Sequence, residues 1–191
     1  KSILKVLSKV PRQMFVPQKY YYSAYENVPL PIGDDQTISQ PLIVCIMIEL
    51  LELKYTDKVL DIGSGSGYQT ALLAELSSKV VGVERIKRLV DSSQQRISKL
   101  GYKNVEIYQA QEELGYPELA PYDAIIVGAA APKLPLQLIN QLSPKGRLVV
   151  PVGDRKSQQV VKVVKTDKSY QLSTYGGCRF VPLIGKGAWS D

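Results

Sequence analysis

Apolar residues recur at changing intervals along the N-terminal part of the chain. Residues 1–10 place them on one face at helical spacing, which predicts the end of a helix that Pro11 closes. Residues 15–36 show no sustained period, and an irregular segment of this length inside a compact domain is usually functional. Helical spacing resumes over residues 40–53, where Pro41 suits the first turn.

From residue 58 onwards, short apolar runs alternate with amphipathic stretches. We predict strands at 59–62, 80–83, 105–108, 124–127 and 147–150, and helices at 68–77, 86–100 and 134–142. The period then becomes two, which predicts closing strands at 160–164, 170–175 and 179–183. Strands that alternate with helices indicate an α/β fold with a doubly wound, mostly parallel sheet. The closing strands near the C-terminus are expected to be antiparallel.

Composition excludes several classes of site. The 191 residues carry 24 Lys plus Arg and 18 Asp plus Glu, a formal net charge of +6, and include no histidine. This excludes a Ser-His-Asp triad and any metal site built from imidazoles. The two cysteines, Cys45 and Cys178, are too few for a disulfide framework or a zinc cluster. We therefore expect free thiols, no bound metal and one domain.

The sequence predicts neither a membrane span nor a secretory signal. The longest apolar candidate, residues 41–53, is interrupted by Glu49 and Glu52 and is shorter than the roughly 18–20 residues that cross a bilayer. The start of the chain is amphipathic, with lysines four residues apart, unlike a signal peptide. A cytoplasmic protein without a membrane partner is the expectation.

The most informative motif is VLDIGSGSGY at residues 59–68. A predicted buried strand leads into Gly63, Gly65 and Gly67, and a helix follows. Glycines allow positive φ angles and a close approach of backbone N–H groups to a ligand, and the helix N-terminus adds a partial positive charge. The spacing G-x-G-x-G differs from the G-x-G-x-x-G of dinucleotide-binding folds.

Two acidic residues near this loop indicate which ligand it binds. Glu84 ends the next predicted strand, 21 residues after Gly63, where an acid accepts hydrogen bonds from a ribose diol. Asp61, just before the first glycine, favours S-adenosylmethionine over NAD. The methionine end of S-adenosylmethionine carries an ammonium, a carboxylate and a sulfonium, so it needs no loop that binds a pyrophosphate. The residues predicted to bind S-adenosylmethionine here are Asp61, Gly63, Ser64, Gly65, Gly67 and Glu84.

Several segments together resemble the protein L-isoaspartate (D-aspartate) O-methyltransferase family. The resemblance covers nearly the whole chain, and the motifs TISQP (37–41) and AAAP (129–132) are specific to that family, whereas the glycine loop belongs to methyltransferases at large. The matching segments are VPRQMFVP (10–17), PLPIGDDQTISQP (29–41), PYDAIIVGAAAP (121–132), QLSPKGRLVVPVG (141–153) and RFVPL (179–183).

The resemblance implies methyl transfer from S-adenosylmethionine to the free carboxylate of isoaspartyl and D-aspartyl residues in damaged proteins and peptides, the first step of their repair. Ser39 matches the family's active-site serine, and Gln36, Thr37 and Ile38 match positions near the cofactor. The fold implied is that of S-adenosylmethionine-dependent methyltransferases.

We expect one methyltransferase domain, residues 1–191, with three parts. These are an N-terminal helix and lid segment (1–40), a cofactor-binding core (41–155) and closing strands (156–191). The lid contains a tyrosine cluster, residues 20–25. Three roles are open for such a cluster. It lines a peptide groove, it stacks on nucleic-acid bases, or it packs against the rest of the protein with its hydroxyls in water.

One three-residue segment departs from the family pattern. The family usually has Gly-Asp-Gly after the third strand, where the Asp receives the adenine amino group, and this chain has Ala110-Gln111-Glu112. The side-chain oxygen of Gln111 still accepts a hydrogen bond, but a neutral acceptor is expected to hold the amino group more weakly than a carboxylate. Gln111 and Glu112 are therefore predicted to line the cofactor site.

The chemistry suits a chain without histidine. A carboxylate nucleophile with a pKa near 4 is already ionised at pH 7, so no general base is required. Catalysis then depends on positioning, and we assign Ser39 a hydrogen bond that orients the substrate carboxylate. The alternative for Ser39 is structural, because Ser39-Gln40-Pro41 is also typical of a helix N-cap followed by an early proline.

Two other functions compete with repair methylation. The basic balance fits a nucleic-acid methyltransferase, but no run of five or more Lys or Arg occurs and Gly128-Ala129-Ala130 offers no side-chain acceptor for a base amino group. A relative that binds S-adenosylmethionine with weak or lost turnover is the second alternative, motivated by Ala110-Gln111-Glu112. The expected partners are isoaspartyl proteins and peptides, and no nucleic acid. We expect the protein to be a monomer.

Overall fold

The structure, a computed structural model, describes residues 3–190. The α-helices are α1 (Ile3–Lys9), α2 (Pro41–Leu50), α3 (Tyr68–Ala74), α4 (Lys87–Lys99) and α5 (Leu136–Asn140). The strands are β1 (Leu30–Gly33), β2 (Gln36–Ile38), β3 (Lys58–Ile62), β4 (Lys79–Glu84), β5 (Val105–Gln109), β6 (Tyr122–Val127), β7 (Leu142–Gly153), β8 (Gln158–Lys165) and β9 (Tyr170–Cys178). The first two residues of the predicted N-terminal helix lie outside the described residues. Within residues 3–190, the helices are too short or too polar to cross a membrane.

Seven strands form one sheet in the order β5-β4-β3-β6-β7-β8-β9. The five strands from β5 to β7 are parallel, and β8 and β9 add to the edge in antiparallel pairing. This confirms the predicted α/β fold with a mostly parallel sheet and antiparallel strands near the C-terminus. The carboxyl ends of β3, β4 and β6 lie side by side, which is where ligands bind in open α/β sheets.

Apolar side chains cover both faces of the sheet. Val59 and Val80 belong to the core beneath α1, α2, α3 and α4, whereas Leu60 and Val81, the next residues along each strand, belong to the core beneath α5. Because side chains alternate across a strand, a strand buried on both faces needs consecutive apolar residues. This explains the apolar runs from which β3, β4 and β6 were predicted.

The prediction of a closing strand at residues 179–183 is wrong. β9 ends at Cys178, opposite Gln158, where β8 begins, so no partner strand continues beyond that point. Pro182 also lacks the N–H that a strand interior needs. The chain instead leaves the sheet, and Pro182 makes an isolated parallel bridge with Ala130 beyond the end of β6.

The segment predicted to be irregular, residues 15–36, contains part of a β-hairpin. β1 and β2 pair in antiparallel fashion and form a separate two-stranded sheet. Asp34 and Asp35 make its turn with φ angles of 52° and 57°, a conformation that Asp tolerates better than most residues. The hairpin escaped prediction because its strands have only four and three residues.

The helix predicted at 134–142 is shorter than expected, since α5 has five residues and β7 already begins at Leu142. The side chain of Gln141 explains this early end. Its oxygen accepts the N–H of Tyr116 at 2.9 Å and its amide donates to the carbonyl of Leu114 at 2.8 Å. These bonds fix the start of β7 against a neighbouring loop.

Candidate active site

A cavity of about 320 Å³ opens at the carboxyl ends of β3, β4 and β6. Its volume lies at the lower end of the range of about 300–1,000 Å³ that is typical of small-molecule sites. The hairpin, the glycine loop and the segment after β5 each contribute to its lining. The predicted residues that line it are Gln36, Thr37, Gly63, Gly65, Glu84, Gln111 and Glu112.

The glycine loop is fixed by backbone hydrogen bonds to its neighbours. Gly63 donates its N–H to the carbonyl of Val83 at 2.8 Å, and Gly128 donates to the carbonyl of Ile62 at 2.7 Å. Gly63 and Gly65 have φ angles of +74° and +52°, which favour glycine. A Cβ on Gly128 would lie 3.0 Å from the carbonyl oxygen of Gly63, so the end of β6 packs tightly against the loop.

Glu84 lies at the end of β4, directly against the glycine loop. Its two carboxylate oxygens accept backbone N–H groups, Oε2 from Gly65 and Oε1 from Ile86, each at 2.9 Å. The residue is only 7% exposed but lines the cavity. Because each carboxylate oxygen has more than one acceptor site, both can accept a further hydrogen bond from a diol.

Asp61 does not line the cavity. It is fully buried beneath α3, where it accepts hydrogen bonds from Gln69 Nε2 at 2.7 Å and from the Thr70 hydroxyl at 2.5 Å. Burial raises its pKa to about 6, although the two hydrogen bonds oppose the rise. Asp61 therefore contacts the start of α3 rather than the cavity, and it fixes the helix that follows the glycine loop.

Two further loop residues that were predicted to bind the cofactor do not line the main cavity. Gly67 precedes α3 with a φ of +87°, and a Cβ there would lie 3.3 Å from the Cβ of Ser93, so this glycine serves the packing of α3 against α4. Ser64 is buried, and its hydroxyl has no hydrogen-bond partner among the described residues. It lines a small recess together with Ser39.

The β1–β2 hairpin covers one side of the cavity. Gln36 and Thr37 line it, whereas Ile38 turns into the core with 6% exposure. The turn is held to α4 by an ion pair in which Arg88 Nη2 lies 2.6 Å from Asp34 Oδ2. In contrast, no tyrosine of the cluster at residues 20–25 lines this cavity.

Ser39 lines a second pocket of about 560 Å³, which we call the outer pocket. It adjoins the cavity, and Thr37, Gly128 and Arg155 line both. The Ser39 side chain is half-buried, and its hydroxyl makes no hydrogen bond with any described residue. The N-cap interpretation of Ser39 is wrong, because Gln40 occupies the cap position before Pro41. The hydroxyl therefore remains available to a ligand.

A buried arginine fixes the backbone at Ser39. Arg12 is completely buried, and its Nη2 donates to the carbonyl of Ser39 at 2.7 Å while its Nε donates to the carbonyl of Ala24 at 2.6 Å. Its guanidinium lies 4.8 Å from the centre of the Tyr68 ring, within range of a cation–π interaction. Desolvation lowers the pKa of Arg12 from its ordinary value.

The far end of the cavity is formed by the segment after β5. Gln111 and Glu112 are exposed side chains on its rim, and Leu114 and Gly115 form its buried wall. Ala110 donates its N–H to the carbonyl of Glu84 at 2.8 Å. The departure at residues 110–112 therefore lies beside the predicted ribose acid.

Sequence reasoning missed the wall made by residues 181–185. Ala130 donates its N–H to the carbonyl of Val181 and accepts the N–H of Leu183, both at 2.8 Å. The indole of Trp189 donates to the same Ala130 carbonyl at 3.1 Å. The RFVPL segment matches the family pattern, but its sequence predicts a strand rather than a wall of the site. Only the tertiary contact of this segment with the end of β6 identifies it as part of the site, and no sequence pattern predicts that contact.

Comparison with known proteins identifies close relatives along the whole chain. A protein-L-isoaspartate O-methyltransferase from Methanoculleus marisnigri is 49% identical over 187 residues, which cover 98% of this chain and 85% of that protein. Protein-L-isoaspartate O-methyltransferase 1 of Syntrophobacter fumaroxidans is 48% identical over 189 residues, which cover 99% and 88%.

Solved structures agree with this relationship. One protein-L-isoaspartate O-methyltransferase superposes with a TM-score of 0.86 at 28% identity, covering 98% of this chain and 62% of that one. Another, from Plasmodium falciparum in complex with S-adenosyl-L-homocysteine, gives a TM-score of 0.81 at 26% identity and covers 95% and 89%. The family model for protein-L-isoaspartate(D-aspartate) O-methyltransferase matches residues 1–188, and the chain belongs to this family.

Proposed function

We propose that this protein transfers a methyl group from S-adenosylmethionine to the free carboxylate of L-isoaspartyl and D-aspartyl residues in damaged proteins, the first step of their repair. One observation carries the proposal. The cavity bounded by the glycine loop and Glu84 shares Thr37 and Gly128 with the outer pocket, which Ser39 lines. The proposed donor and acceptor sites are therefore adjacent. The relatives at 47–49% identity named for this activity support it.

The residues of the cavity fit S-adenosylmethionine. Gly63 and Gly65 present a loop without side chains, and Glu84 offers carboxylate oxygens at its edge. Gln111 and Glu112 supply acceptors at the opposite end. When bound, S-adenosylmethionine supplies a methyl group on a positively charged sulfur. Three glutamates and two arginines line the cavity, and this excess of negative charge favours a cationic ligand.

The chain's own residues then have to bind and orient the substrate carboxylate. Since that carboxylate is ionised at neutral pH, no residue has to remove a proton from it. We assign the Ser39 hydroxyl the role of donating a hydrogen bond to it, because this hydroxyl lines the outer pocket and has no partner among the described residues. Arg12 fixes the Ser39 backbone and is a positioning residue.

A methyl-transfer assay with matched peptides tests the proposal. The purified protein is incubated with radiolabelled S-adenosylmethionine and one of two peptides that differ only in an isoaspartyl or a normal aspartyl residue. We expect base-labile methyl ester on the isoaspartyl peptide and at most background incorporation on the aspartyl peptide. Equal incorporation into both, or higher incorporation into tRNA or DNA, would reject repair methylation.

The second candidate is a protein that binds S-adenosylmethionine with weak or no turnover, which the exposed neutral Gln111 favours. Calorimetry with S-adenosylhomocysteine separates the two functions. Tight binding without methylation of either peptide would establish the binding function. Absence of binding would contradict both candidates.

A further inference from the structure

The outer pocket carries two positive charges and no negative one. Arg155 and Arg179 both line it, and no Asp or Glu is among the described residues of its lining. The rest of the lining is apolar or neutral, including Ile43, Phe180 and Ser39. A concave surface of one charge sign with partly apolar walls concentrates ligands of the opposite sign.

Neither guanidinium has a hydrogen-bonding or ionic partner in the described part of the chain. Arg12 and Arg88, by comparison, donate to carbonyl or carboxylate oxygens. Arg155 and Arg179 are exposed and form no ion pair or hydrogen bond with any residue in the described part of the chain. Asp154, the acid next to Arg155, accepts the backbone N–H groups of Lys156 and Ser157 through Oδ1 and forms no ion pair with Arg155.

Arg155 is nevertheless held in place. Its guanidinium lies 4.9 Å from the centre of the Trp189 ring, and Trp189 is fixed through its indole N–H to Ala130. An aromatic platform orients the planar guanidinium while leaving its N–H edge open. This is the arrangement that binds a carboxylate through two parallel hydrogen bonds.

We propose that Arg155 and Arg179 select an acidic residue next to the isoaspartyl residue in the substrate peptide. The proposal rests on the proposed function, which places the reacting carboxylate at Ser39. Arg179 lines the outer pocket but not the cavity, so it faces the peptide that continues beyond that carboxylate, and Arg155 lines the boundary between the two. The partner they recognise is therefore a second carboxylate, on a flanking side chain.

A series of isoaspartyl peptides measures this selectivity. The peptides differ only in one residue beside the isoaspartyl residue, which is Glu, Ala or Lys, placed on the N-terminal side in one set and on the C-terminal side in the other. We expect kcat/KM for the Glu peptide to exceed that for the Ala peptide by about three- to tenfold in one set, with the Lys peptide lowest. The preference should weaken at high salt, because the pocket is open to water.

Two variants assign the preference to these side chains. In Arg179→Gln and in Arg155→Gln, the ratio of kcat/KM between the Glu and Ala peptides should fall towards one. Lys168→Gln removes the same charge from an exposed position outside the pocket and should keep the wild-type ratio. Binding of S-adenosylhomocysteine, measured by calorimetry, provides a second readout, because Arg155 also lines the cavity.

The possible outcomes distinguish the failure of the proposed flank selectivity from the failure of the proposed repair methylation. If wild-type protein methylates the Glu, Ala and Lys peptides equally well, the flank selectivity is wrong and repair methylation stands. If the variants weaken S-adenosylhomocysteine binding and lower all three rates by one factor, the arginines serve the cofactor and the inference is overturned. If no isoaspartyl peptide is methylated, the proposed function fails and the inference fails with it.

Discussion

The guanidinium of Arg12 donates a hydrogen bond of 2.7 Å to the backbone carbonyl of Ser39, across 27 residues of sequence. A second bond reaches Ala24, so one buried side chain joins the segment after α1 to the residues that precede α2. Ser39 is therefore positioned through its backbone, by a residue that lines neither the cavity nor the outer pocket.

Replacing Arg12 by methionine should lower both stability and turnover. Each buried carbonyl left without a donor costs about 1–3 kcal/mol, so we expect the free energy of unfolding in urea to fall by about 2–4 kcal/mol. The kcat for an isoaspartyl peptide should fall as well, because the Ser39 backbone loses its anchor. Arg12→Lys keeps the charge but reaches one carbonyl at most, and should recover only part of both losses. Wild-type kcat in Arg12→Met would contradict a positioning role.

Ser39→Ala should impair methyl transfer without affecting cofactor binding. Loss of one hydrogen bond to a charged carboxylate corresponds to about a 10- to 100-fold decrease in kcat/KM. The Kd for S-adenosylhomocysteine should stay within a few fold, and the urea midpoint should not change, because the hydroxyl has no partner among the described residues. Ser173→Ala, an exposed position on β9, is the matched control. Unchanged turnover in Ser39→Ala would remove the hydroxyl from the mechanism.

Gln111→Asp should tighten cofactor binding. Gln111 lines the far end of the cavity, and a charged acceptor makes a hydrogen bond about 1 kcal/mol stronger than a neutral one. The expected gain in affinity for S-adenosylmethionine is about fivefold by calorimetry. Gln171→Asp adds the same charge at an exposed position on β9 and should leave the affinity unchanged. An equal gain in both variants would indicate a general effect of net charge rather than contact with adenine.

Asp61 should make stability depend on pH in the direction opposite to most carboxylates. Burial raises its pKa from 3.8 to about 6, so the native state binds a proton more tightly than the unfolded state. The stability it contributes is fully present below about pH 4 and is lost as pH rises through about 6. The full difference corresponds to about 3 kcal/mol.

Urea unfolding of wild type and Asp61→Asn between pH 4 and pH 7.5 measures this contribution. We expect the difference in unfolding free energy, wild type minus variant, to increase as the pH falls. Asp167→Asn, at an exposed position, serves as the control and should give a curve parallel to the wild type. Parallel curves for Asp61→Asn as well would show that Asp61 has an ordinary pKa.

The sheet was predictable from sequence because its strands are apolar on both faces and alternate with amphipathic helices. The glycine loop and Glu84 were predictable for a similar reason, since a strand end, a turn and the next strand end follow one another locally. Alternation also explains Asp61. Leu60 and Ile62 share one face of β3, and Asp61 between them points to α3 on the other face.

The remaining parts of the site depend on contacts between distant segments. No local pattern distinguishes Arg12 from an exposed arginine, although it is completely buried. Residues 181–185 resemble a strand in sequence, and only the hydrogen bonds with Ala130 turn them into a cavity wall. The outer pocket likewise combines Arg155, Arg179 and Ser39 from three separate stretches of chain.

The attachment of residues 181–189 to Ala130 also has a practical consequence for handling the protein. Proteolytic trimming that removes everything after Phe180 would spare all seven strands of the main sheet, since β9 ends at Cys178. The same cut would leave the cavity open on one side, because residues 181–185 form part of its wall. A degraded preparation would then pass a circular-dichroism check for folding and still retain no ligand, so an intact mass is the better criterion of quality.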